Sequence, residues 1–183
     1  MSDILVLSGS PSTKSRTEAV LGELSQRLRE HGHRVVEAPI RRLPANALVA
    51  ADSADGEVRA LIEAVSHAEG ILVASPIYKA SYTGLLKSFL DLLPQHGLTG
   101  KTVLPLATGG TPAHVLAIDY AFRPMLHSLG AEHVVPGYFL LDRLIEVSED
   151  GVRIDAEAEQ ALMSVVDYFA SALHRRARYA EAS

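Results

Sequence analysis

A chain of 183 residues, 48% hydrophobic and without cysteine, is long enough to bury a core and can hold neither a disulfide, nor a thiolate nucleophile, nor a Cys-ligated metal. Its formal net charge of −5, with no basic stripe, argues against nucleic acid, and no apolar run approaches the roughly 18 residues that span a bilayer. A soluble, cytoplasmic protein folded as one domain over residues 1–183 is the expectation.

The first predicted element is a strand at Ile4, Leu5, Val6 and Leu7, apolar without alternation and so buried on both faces. Val20, Leu21, Leu24 and Leu28 then recur at helical spacing. The turn between them, residues 9–17, offers the hydroxyls of Ser10, Ser15 and Thr17, the cations Lys14 and Arg16, and the unpaired N–H groups of a helix start. Those groups suit a phosphate. The turn is not a P-loop, because Ser8 and Thr13 stand at the two glycine positions; nor is it a Rossmann fingerprint, because Gly9 has no glycine two or five residues later. The plainer alternative is a strand-to-helix turn capped by Ser or Thr.

Gly32 stops this helix, and residues 33–38 read as a second strand. Residues 39–56 are too long for an ordinary crossover and hold a short helical turn near 46–50, a candidate lid or subunit contact. Val58, Leu61, Ile62 and Val65 mark the next helix, and residues 71–75 a third strand ended by Pro76. Leu85, Leu86, Phe89, Leu90 and Leu93 share a helical face, a surplus of apolar surface that points to a subunit interface. Residues 102–107 form a fourth strand, whose Pro105 must lie where no neighbour needs its missing N–H. A fourth long helix over 115–129, a fifth strand over 134–140 and a last helix over 162–173 follow. That helix ends in the basic cluster 174–178, placed to face the negative end of its dipole. Inside the fourth helix Pro124 has no N–H for the carbonyl of Tyr120, so the helix must kink there or widen into a π-bulge.

Five alternations of strand and helix predict an α/β fold, a doubly wound five-stranded parallel sheet of flavodoxin-like order 2-1-3-4-5. Ligands of such sheets bind outside the carboxyl ends, between strands one and three. There the turn 9–17 meets Pro76, Ile77, Tyr78 and Lys79, a proline turn with an aromatic and a cation, with Tyr82 close behind. After strand four, Thr108, Gly109 and Gly110 let a flat ligand approach the backbone. Aromatic area plus backbone donors suits a planar heterocycle, although a hydroxyl-rich loop with tyrosines covering apolar surface is the bland alternative. Three compatible loops on one edge point to a flavin mononucleotide (FMN) site.

Gly9-Ser10-Pro11 with Ser15-Arg16, Ser75-Pro76-Ile77-Tyr78-Lys79, and Pro105-Leu106-Ala107-Thr108-Gly109-Gly110 with His114 and Asp119-Tyr120-Ala121 resemble the NAD(P)H-dependent FMN reductases. In particular they resemble the reductases of two-component alkanesulfonate monooxygenase systems, over nearly the whole chain. The resemblance implies that Ser10, Ser15, Arg16 and Thr17 hold the FMN phosphate. Pro76, Ile77, Tyr78 and Lys79 would meet the isoalloxazine and ribityl chain, while Thr108, Gly109 and Gly110 line the ring. It further implies hydride transfer from NADPH or NADH, delivery of reduced FMN to a monooxygenase, and a homo-oligomer, dimer or tetramer. Tyr120 would lie on an inserted π-helical turn at the subunit interface, associated with flavin that is exchanged and not retained. One departure is plain: the family's loop usually carries arginine directly after Gly-Ser-Pro, where this chain has Ser12. The cofactors carry the chemistry, so no catalytic side chain is assigned, and His114 is the one histidine near the edge. The alternatives are a reductase with permanently bound FMN acting on quinones, azo dyes or metal oxyanions such as chromate, and a flavodoxin-like electron carrier.

Overall fold

The computed structural model describes residues 1–149 and 151–182, with side chains as far as Arg175, so Arg176 and Arg178 of the expected basic cluster lie outside the described side chains. In chain order the elements are β1 (Asp3–Ser8), α1 (Arg16–Glu30), β2 (Arg34–Pro39), α2 (Ala45–Val49), α3 (Gly56–His67), β3 (Gly70–Pro76) and α4 (Gly84–Leu90). They continue with β4 (Thr102–Gly109), α5 (Arg123–Ser128), β5 (His133–Val134), β6 (Tyr138–Leu141), β7 (Ile145–Ser148), β8 (Gly151–Ile154) and α6 (Ala156–Ala182). The main sheet is parallel, in the order β2-β1-β3-β4-β5, with β6 also pairing β4.

Side chains alternate across the sheet and divide the core in two. Ile4, Val6, Leu72 and Leu104 pack under α1 and α6 against Leu24, Leu28, Val166 and Phe169, while Leu5, Leu7, Ile71, Val73 and Val103 face Val65, Leu86, Phe89 and Phe122. At roughly 1.5–3 kcal/mol for each fully buried large side chain, these two layers are what order the carboxyl edge. Among the described residues no helix is long and apolar enough to cross a membrane.

Four features depart from the sequence expectation. The fifth strand is split: β5 pairs Thr102 and Val103, β6 pairs residues 106–109, and Pro136-Gly137 lies between. Val135 donates to the Val103 carbonyl at 2.9 Å and Ile77 to the Thr108 carbonyl at 2.8 Å, so odd-numbered residues of β4 turn their polar groups to this fifth position. The N–H that Pro105 lacks is therefore missing at the break, where neither short strand needs it. Gly137 permits the close approach, since a Cβ there would stand 2.6 Å from the Pro105 carbonyl oxygen.

The expected long fourth helix is also divided, into a 3-10 turn (Pro112–His114), a π-helical turn (Ile118–Phe122) and α5. The N–H of Arg123 reaches back five residues to the Ile118 carbonyl, the widening that Pro124 demands. Arg123 braces the turn further, bonding Asp119 at 2.8 Å and the carbonyls of Val134 and Val135 at 3.2 and 3.4 Å. The antiparallel hairpin β7–β8 was not expected, although Asp150-Gly151 between alternating Ile145, Val147 and Val152, Ile154 is a hairpin signature. Lastly, Leu86, Phe89, Leu90 and Leu93 are buried within the chain itself, so of that helical face only Leu85 remains half-buried and open to a contact outside the chain. Among the described residues, exposed apolar side chains near this edge include Tyr78, Val115, Leu116 and Tyr120.

Candidate functional site

The loop after β1 begins at Gly9, which donates its N–H to the Ala74 carbonyl at 2.8 Å and lies so close to α4 that a Cβ would stand 2.6 Å from Leu86 Cβ. Ser10 is buried and its hydroxyl accepts from Ser12 N–H, whose own hydroxyl accepts from Lys14 N–H. Ser15 caps α1, taking the Glu18 N–H at 3.1 Å. The N–H groups of Arg16 and Thr17 belong to the first turn, where the helix offers no acceptor, and the Arg16 side chain is exposed. Hydroxyls, free donors and two cations thus converge on one helix start. An open cleft of about 840 Å³ lies beside them, lined on this side by Lys14, Ser15 and Arg16 and on the other by Val147, Ser148 and Glu149 at the β7–β8 tip.

The second loop is tied to the first. Thr83 caps α4, accepting from Leu86 N–H at 3.1 Å, and its hydroxyl donates to the Gly9 carbonyl at 2.6 Å. Buried Ser75 accepts the Thr83 N–H at 3.0 Å. Between them Tyr78 and Ser81 exchange backbone bonds of 2.8 and 3.1 Å around Lys79 and Ala80, whose φ angles are +50° and +64°. Positive φ at both central positions makes this a type I′ turn without the usual glycine or asparagine, a strained geometry that holds Tyr78 and Lys79 outward at the edge. Pro76 ends β3, Ile77 is buried, and Tyr78 is 52% exposed. Tyr82 turns inward instead, edge-on to Phe122 at 5.3 Å, and burial pushes its phenol above the ordinary tyrosine pKa.

The third loop completes the lacing. Thr108 Oγ1 lies 2.8 Å from Thr17 Oγ1, both buried, and the Thr108 carbonyl accepts the Ile77 N–H. Gly109 is explained by packing, since a Cβ there would meet the Phe139 ring at 2.9 Å, whereas Gly110 faces open space with only Asp142 at 3.8 Å. His114, in the 3-10 turn, carries a buried Nδ1 without a hydrogen-bond partner among the described residues.

The structure therefore brings together Ser10, Ser15, Arg16, Thr17, Pro76, Ile77, Tyr78, Lys79, Thr108, Gly109 and Gly110 along one edge. Tyr120 is not drawn into this lacing: it stands 79% exposed on the π-helical turn. Sequence reasoning missed Thr83, whose only sequence signal is its place before an apolar helix, and the pair Glu18 and Arg41, joined at 2.6 Å across 23 residues of chain.

A doubly wound parallel sheet with a phosphate-type helix start and two open loops at its switch point defines a flavodoxin-like flavoprotein. Residues 2–144 match the family described as NADPH-dependent FMN reductase. The chain is 38% identical to "FMN reductase (NADPH)" of Pseudomonas putida (strain KT2440), over 96% of this chain and 90% of that protein. It is 36% identical to "FMN reductase (NADPH)" of Escherichia coli (strain K12), over 94% and 91%. Among solved structures, the apo form of "NADH:FMN oxidoreductase (EMOB)" superposes with a TM-score of 0.84 at 39% identity, over 94% of this chain and 90% of that one. The chain belongs to the NADPH-dependent FMN reductase family, and is an oxidoreductase that uses NAD(P)H and FMN.

Proposed function

We propose that FMN is an exchangeable substrate of this reductase, and that the reduced flavin passes to a partner monooxygenase in the cytoplasm. The observation that carries this reading is the π-helical turn, with Tyr120 79% exposed and Val115 and Leu116 exposed just before it. A turn of this kind is an unfavourable departure from the α-helix, and such turns recur at functional sites. This one is joined to the second loop through the Tyr82–Phe122 contact, so a change in its packing reaches the site edge. A second copy of the chain covers Tyr78, Val115, Leu116 and Tyr120 in this reading, giving a dimer or tetramer.

The residues present fit FMN. Ser10, Ser15, Arg16 and Thr17 hold its phosphate, through a capping hydroxyl, first-turn N–H groups and a guanidinium. Pro76, Ile77, Tyr78 and Lys79 meet the ring and ribityl chain, and Thr108, Gly109 and Gly110 line the ring, with the open side of Gly110 allowing close approach. When bound, FMN supplies the acceptor for a nicotinamide hydride. The protein's part is to bind and orient: Thr17–Thr108 and Thr83–Gly9 keep the three loops in register, and no side chain has to lose or gain a proton.

Flavin content and turnover test the reading. The purified protein is expected to be nearly colourless and to oxidise NAD(P)H only with added flavin, with FMN preferred over riboflavin because the cradle has use only for a phosphate. Stoichiometric FMN surviving gel filtration, with a quinone as the preferred acceptor, would overturn it in favour of a bound-flavin quinone reductase.

A further inference from the structure

We propose that Arg41, from the connection after β2, is a positioning residue for the FMN phosphate: it neutralises Glu18 and anchors the cradle loop from outside. The proposal rests on the phosphate reading of residues 10–17. Arg41 makes two contacts at that loop. Its Nη2 donates to Glu18 Oε2 at 2.6 Å, and its Nε donates to the Ser12 carbonyl at 3.2 Å. Both partners of the ion pair are largely withdrawn from water, with side chains 19% and 20% exposed, so solvent screens them poorly.

Glu18 is the reason a cation is needed. It lies in the first turn of α1, where the helix dipole attracts a carboxylate and would equally attract a phosphate. Its other oxygen accepts from Ser8 Oγ at 3.2 Å, and Ser8 Oγ in turn accepts from Ser10 N–H at 3.4 Å. A carboxylate one hydroxyl removed from the Ser10 backbone is thus built into the cradle. Left bare, it would repel a phosphate dianion; paired with Arg41, it becomes a neutral strut that orders Ser8 and Ser10. The fork of the guanidinium suits this double duty, since one nitrogen holds the carboxylate while another holds the loop carbonyl. The same contact gives the long connection 39–56 a role: its 3-10 turn Ile40–Arg42, anchored by fully buried Ile40, delivers the arginine.

The experiment is direct binding of FMN and of riboflavin to wild type, Arg41→Met, Glu18→Gln and the double variant, with folding of each checked by thermal melting. In Arg41→Met the FMN dissociation constant is expected to rise at least about tenfold, with a much smaller change for riboflavin. Adding Glu18→Gln should recover most of the FMN loss, and the loss it recovers should be selective for FMN over riboflavin, which a merely structural role for Arg41 would not give. If Arg41→Met does not fold, Arg41→Lys keeps the charge but not the fork, and a partial, FMN-selective loss is expected. Equal weakening of both flavins in the Arg41 variant studied, unchanged FMN affinity there, or no recovery with Glu18→Gln would overturn the assignment. Wild-type protein that binds riboflavin as tightly as FMN would instead remove the phosphate reading beneath it.

Discussion

Single residues at the carboxyl edge carry distinct loads. Arg16 starts α1 with an exposed side chain that makes no hydrogen bond or ion pair among the described residues, so Arg16→Ala tests phosphate binding with little structural consequence. Charge-assisted hydrogen bonds contribute about 1.5–3 kcal/mol, and loss of one should weaken FMN by roughly 10- to 150-fold in a binding titration while sparing riboflavin. Ala80 carries strain instead. An L-residue at φ +64° pays about 1–2 kcal/mol of steric cost that glycine avoids. Ala80→Gly should therefore stabilise the fold by about 0.5–1 kcal/mol, read as a rise in melting temperature of roughly 1–4 °C. An unchanged or lower melting temperature would show that the type I′ turn is not under strain.

Two elements are shaped by proline. Pro105 is compatible with the centre of β4 because β5 and β6 leave a gap where its N–H would have been needed. Pro124 widens the turn before α5, and the Arg123 guanidinium ties that turn to the same gap through Val134 and Val135. The two irregularities therefore brace one another. On the π-helical turn, Tyr120→Ala removes an exposed aromatic without touching the core, since Ile118 and Phe122 supply the buried contacts. The expected outcome is more FMN retained through purification and slower turnover of free FMN, together with a smaller assembly by light scattering. Retention, turnover and mass all unchanged would remove Tyr120 from both the interface and the exchange of flavin.

At the scale of the whole molecule, the end of the sheet opposite the site holds a buried polar group, His33, whose surroundings favour its neutral form. His33 is 5% exposed, both its ring nitrogens lack partners among the described residues, and its ring lies 4.9 Å from that of His174. Burial first, then the charges of His174, the N-terminal amine and His31, lower its pKa below the ordinary 6.5, while Glu69 opposes them. The unfolded chain therefore binds the proton more readily. Stability contributed by neutral His33 is fully present above pH 6.5 and is lost as pH falls through the lowered folded value. Urea unfolding across roughly pH 5–8 should show stability falling on the acid side, with a shallower slope in His33→Leu. An identical slope in that variant would place the acid sensitivity elsewhere.

The sequence by itself determined the layered plan. Unbroken apolar runs such as Ile4 to Leu7 allow only strands covered on both faces, and alternation with helical spacing leaves a parallel doubly wound sheet. It also placed the three loops at one edge, because a parallel sheet puts every strand-to-helix turn on the same side. Even the widening before α5 was legible, since a missing N–H at Pro124 is a local covalent fact. What the tertiary structure decided are the long-range matches. The split of the fifth strand depends on Pro105 meeting Gly137, and the burial of α4 on Gly9 meeting Leu86. Likewise Thr83 finds the Gly9 carbonyl, Thr17 finds Thr108, and Arg41 finds Glu18. These partners are separated by 23 to 91 residues of chain. Periodicity and turn chemistry act over a few residues, so only the closed fold, in which the core sets the distance between loops, brings such groups within bonding range.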